Sequence, residues 1–145
     1  MGQNRRAFST PYRQNYYRLS PDGKYVVYAS DESGPTEIYV AAFPSFLVKR
    51  KVSNGPGQHP MWASGGQEMF YRSLDGSMMS VTVRTSPTLE IGTPKLLFKF
   101  GTGTRSNIFA VSRDGKRFLL AERMQESQLD RPEISVVINW AADIK

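Results

Sequence analysis

The sequence predicts an all-β chain built from one four-stranded antiparallel unit written three times. Two observations carry that expectation. The first is a recurring turn: "LSPDGKYVVYAS", Leu19 to Ser30, returns blurred as "WASGGQEMFYRS" and more clearly as "VSRDGKRFLLAE". The second is that short β-rich runs flank each turn at matching places, with no convincing helical periodicity.

The turns align on Gly23, Gly66 and Gly115, which lie 43 and 49 residues apart. Their chemistry is that of a hairpin. Pro21 presets the backbone, Asp22 can bond back to its own main chain, and Gly23 accepts a positive φ. The third copy keeps Asp114 and Gly115, whereas the second replaces the aspartate with Gly65 before Gly66. Ahead of the turns stand "NYYRLS", "HPMWAS" and "NIFAVS", and behind them "KYVVYAS", "EMFYRS" and "RFLLAE". A third apolar run follows in each copy: "TEIYVAAF", "SMMSVTV" and "EISVVINW". The first two copies add a fourth, "VKRKVS" and "PKLLFKF". Four antiparallel strands per repeat of roughly 45 residues describe a β-propeller blade. The expected blades are about 15–54, 58–101 and 106–141, within a single domain spanning 1–145.

These residues resemble the TolB-type, WD40-like (PD40) β-propeller repeat family. Leu19-Ser-Pro-Asp-Gly-Lys-Tyr-Val-Val-Tyr and Glu37-Ile-Tyr-Val are similar to its signature, Trp62 supplies the aromatic of the second copy, and Ser112-Arg-Asp-Gly-Lys opens the third. The ending "EISVVINWAADIK" is similar to the tail that closes propellers attached to some bacterial serine/threonine kinases. The resemblance implies a fold and says little about activity. It further implies that relatives act as sensor regions, as partners in periplasmic complexes or as lids beside peptidases, and that a few are lyases.

The third copy stops after its third strand, and residues 6–10 sit where an outer strand belongs. Three blades cannot close a ring, for which four to eight are typical. The expectation is a head-to-tail homodimer forming a six-bladed ring, each chain's 6–10 segment completing the partner's last blade. The competing expectation is a structural three-blade fragment of a larger propeller, with no activity of its own.

Composition bounds the chemistry. With no cysteine, disulfides and thiolate metal sites are excluded. No apolar run is long enough to span a membrane. The start lacks a signal-peptide core, which fits either the cytoplasm or a chain beginning after a removed segment. The net charge of +6 is densest at Lys49 to Lys51. No nucleic-acid motif accompanies it, so it reads as a solvated basic surface.

Enzyme readings rest on one histidine. His59 could serve a small hydrolase or lyase only with a carboxylate from a neighbouring blade, and no nucleophile elbow occurs. Asp22 and Asp114 have turn duty, and Asp31 with Glu32 reads as a solvated loop pair that could hold at most a loose calcium ion. "GTGTRSN", Gly101 to Asn107, lacks the ending of a phosphate loop. The expectation is therefore a non-catalytic interaction or ligand-sensing module without a cofactor. Its ligand, a protein, a peptide or a small polar molecule, would meet Arg18, His59, Arg105 and Asn107 at the channel mouth. Trp62, Tyr17, Phe109 and Trp140 are expected to pack between blades.

Overall fold

A computed structural model of the chain describes residues 10–100, 109–122 and 133–138. Its first sheet is a meander of β1 (Gln14–Leu19), β2 (Tyr25–Ser30), β3 (Glu37–Ala42) and β4 (Lys49–Lys51). The second orders β5 (Gly57–Trp62), β6 (Glu68–Ser73), β7 (Ser77–Arg84) and β8 (Glu90–Ile91), with β9 (Lys95–Lys99) also pairing along β7. The third consists of β10 (Phe109–Val111), β11 (Arg117–Glu122) and β12 (Glu133–Ile138). All pairings are antiparallel. The described residues are thus all-β. Most of the 6–10 segment lies outside the described residues, and its described end, Thr10, is not in a strand.

The recurring turn is built the same way each time. Gly23, Gly66 and Gly115 have φ of 70°, 69° and 71°, the left-handed conformation that a side chain resists. In the first turn the Gly23 amide donates to the Ser20 carbonyl at 2.8 Å. Asp22 Oδ1 accepts from the Ser20 hydroxyl at 2.6 Å and from the Lys24 amide at 3.1 Å, while Ser20 Oγ accepts from the Tyr25 amide at 3.0 Å. Ser112, Asp114, Lys116 and Arg117 repeat this network. The second turn, with Ala63 and Gly65 at those places, keeps only the backbone bonds.

Alternation along the strands then decides how the sheets stack. Residues four and six after the turn glycine in the first sheet, Val27 and Ala29, meet residues three and five after it in the second, Met69 and Tyr71. Phe70, four after Gly66, likewise meets Phe118 and Leu120 of the third sheet. The Phe70 and Phe118 rings stand edge to face, with centroids 5.0 Å apart. Trp62 and Phe109 pack between sheets as expected. Tyr17 does not: it is 43 % exposed and stacks on Tyr28 of its own sheet, because it lies on the face turned away from the second sheet. Trp140 lies outside the described residues.

Gly57 shows how close the first interface is. A Cβ there would stand 2.9 Å from Tyr71 Cδ2 and 3.2 Å from Ile38 Cγ1, both in buried side chains. Gly57→Ala is expected to destabilise the fold by about 1–3 kcal/mol through overpacking, measured as a lower urea midpoint with an unchanged m-value.

Candidate functional site

The leading strands of the first two sheets, β1 and β5, share an irregularity. Between Asn15 and Arg18, two residues of β1 oppose the single Tyr28 of β2. Between Gln58 and Met61, two residues of β5 oppose the single Tyr71 of β6. These are β-bulges, and each places a non-glycine residue in the left-handed region: Tyr16 at φ 58° and His59 at φ 52°. Both residues lie seven positions before their turn glycine, so the repeat carries the bulge with it. Histidine tolerates that conformation better than tyrosine does, and a bulky residue there costs about 1–3 kcal/mol.

The two strained residues touch. The Tyr16 and His59 rings lie 3.9 Å apart between centroids, tilted by 43°. Beside them the Trp62 indole N–H donates to the Arg18 carbonyl at 3.1 Å, tying β5 to β1. The Arg18 side chain is exposed, and its guanidinium donates to the Tyr17 carbonyl at 2.9 Å. Burial first, then the charges of Arg72 and Arg18, push the His59 imidazole down to about 4, so it is neutral at pH 7. Its Nε2 is shut off from solvent with no hydrogen-bond partner. Arg72 is itself partly buried, its guanidinium 4.9 Å from the Phe100 ring centroid.

Of the four expected ligand-binding residues, Arg18 and His59 come together here, while Arg105 and Asn107 lie outside the described residues. Tyr16 and Arg72 join the site although the sequence reading passed them over. The shared seven-residue offset from the turn glycine was the signal for Tyr16. Arg72 gave none, because Ala29 holds its place in the first repeat. The carboxylates have structural partners. Asp31 Oδ1 accepts from the Arg13 amide at 2.8 Å, and Glu32 pairs with Lys49 at 2.7 Å. Serine hydroxyls hold Asp22 and Asp114 below the usual carboxylate range.

Solved structures share this architecture. An oligogalacturonate lyase from Vibrio parahaemolyticus superposes with a TM-score of 0.60 at 17 % identity, over 81 % of this chain and 32 % of the lyase. A TolB-type structure from Agrobacterium tumefaciens gives 0.60 at 16 % identity, over 90 % of this chain and 47 % of that one. The Swd1 β-propeller domain of Myceliophteria thermophila gives 0.59 at 13 % identity, over 88 % and 40 %. The fold is a β-propeller fold. This chain spans 32–47 % of the length of these propellers, and at such identity the likeness concerns the fold alone. No protein-family model matches the chain, and no curated protein sequence matches it.

The depressed His59 value sets a pH dependence. An unfolded imidazole takes its proton near 6.5, while the folded one refuses it until about 4. The contribution is therefore intact above pH 6.5 and is lost as the pH falls from 6.5 to 4. Discounted for partial exposure, it amounts to about 1–2 kcal/mol. Urea midpoints should fall across that window in the native chain. His59→Asn, which suits the left-handed backbone and does not titrate, should flatten the slope.

Proposed function

We propose that this chain is a non-catalytic β-propeller module that binds a protein segment, a peptide or a small polar ligand where the leading strands converge. The observation that carries this reading is the pair of left-handed bulge residues, Tyr16 and His59, in ring contact beside the exposed Arg18. Strain of this kind persists only where the surrounding structure over-determines it, and it gathers at binding sites. In propellers the blades surround a central channel, so residues on the innermost strands of several blades can meet one ligand.

Catalysis by His59 has less support. It is the single histidine of the chain, and its Nε2 has no hydrogen-bond partner among the described residues. Transfer of a proton at such a site would need a base aligned by a second group. For the assembly, we propose the head-to-tail pair in which two chains build six blades and each 6–10 segment extends the partner's third sheet. The other reading is a structural part of a longer propeller with no activity of its own. It is favoured by the 32 % and 47 % shares of the lyase and TolB-type chains that this one covers.

The test is a thermal-shift survey with short peptides, sugars and small organic acids. A ligand at a hundredfold excess over its Kd stabilises the folded state by roughly 2.7 kcal/mol. A melting-temperature rise that disappears in the Arg18→Ala, His59→Asn double variant supports the site. A rise that survives the double variant moves binding elsewhere, and no rise with any compound favours the structural reading.

A further inference from the structure

The hairpin joining β3 to β4, residues 43–48, leaves apolar side chains exposed at its tip. Leu47 is 88 % exposed, Val48 41 % and Phe43 39 %. The tip is nevertheless held in shape. The Phe46 amide donates to the Ala42 carbonyl at 2.8 Å, the Ala42 amide to Val48 at 2.8 Å, and the Phe43 amide to Lys24 at 2.8 Å. Phe46 turns inward against the cluster of Val26, Tyr28, Tyr39 and Ala41, and Phe43 stands edge to face with it at 6.2 Å. Anchoring Phe46 drives Leu47 and Val48 outward.

The repeat itself does not demand this. The corresponding connection in the second sheet, residues 85–94, folds Leu89 and Ile91 back onto the core. Cations flank the apolar tip of the first sheet. Lys49 and Lys51 are matched by Glu32 and Glu37, whereas Lys24 and Arg50 form no ion pair among the described residues.

We propose that this hairpin docks the protein on an anionic lipid surface, with Leu47 and Val48 entering the headgroup–acyl boundary and Lys24 and Arg50 facing the lipid charge. Leu47, Val48 and the exposed part of Phe43 present far less than the roughly 800 Å² per partner that a stable protein interface requires. They suit shallow insertion, where apolar contact and attraction to anionic headgroups add.

The test is cosedimentation of the full chain with phosphatidylcholine vesicles, with and without phosphatidylglycerol. The protein should partition into the anionic vesicles and leave them as salt is raised. Leu47→Asp should lower the bound fraction about tenfold, and Arg50→Glu by a similar factor, with unchanged thermal melts because both sites are exposed. Leu47→Trp should keep binding and shift its emission to the blue on insertion. Sedimentation no greater with anionic than with neutral vesicles would overturn the proposal. So would a Leu47→Asp protein that binds as the native chain does. Loss of self-association in Leu47→Asp, without any vesicle binding, would assign the tip to a protein contact instead.

Discussion

The first two sheets carry apolar side chains on both faces, and the described sheets stack because the faces turned towards each other meet in a fixed order. The face four and six residues beyond a turn glycine meets the face three and five residues beyond the next. Val27 and Ala29 thus find Met69 and Tyr71, and Phe70 finds Phe118. A one-residue slip in any hairpin would exchange the faces and break the series. The turns guard against that slip. A left-handed glycine in all three turns, with serine–aspartate networks in the first and third, fixes where each hairpin reverses, and so which side chains look forward and which look back.

The same rule brings the candidate site together. Stacking draws β5 beside β1, and the bulges in those strands then put Tyr16 against His59. The imidazole stays neutral because it is half-enclosed there and lies near two arginines. Binding chemistry at this place depends on sheet packing as much as on its own residues. The β3–β4 hairpin is different: its exposed Leu47 answers to no neighbouring sheet.

Much of the architecture was legible because it is written three times. The turn glycines, the strands around them and the fourth runs at Lys49–Lys51 and Lys95–Lys99 follow from local pattern and from repetition. The bulges were not legible. Left-handed backbone is ordinarily announced by glycine, asparagine or aspartate, and here tyrosine and histidine adopt it under tertiary constraint. Tyr17, expected between blades, meets no second sheet among the described residues, because its place on the alternation turns it to the outer face of the first. Arg18 and His59 were found as the available polar residues near the expected channel. Arg72 was missed because one repeat carries an alanine where the next carries the arginine, and nothing local marks the exchange.

The rule also leaves apolar groups at both ends of the stack. Leu119 on the outward face of the third sheet is 45 % exposed, and Leu19 and Tyr17 at the rim of the first are 52 % and 43 % exposed. The centre of the first sheet's outer face, Val26, Tyr28, Tyr39 and Ala41, is already buried within the single chain, so the proposed second copy would meet the rim of Leu19 and Tyr17. Absolute mass by light scattering on a sizing column, across a range of concentrations, tests this most directly. The expected result is a stable species of twice the 16.3 kDa chain mass. A well-folded monomer, unchanged on concentration, would contradict it.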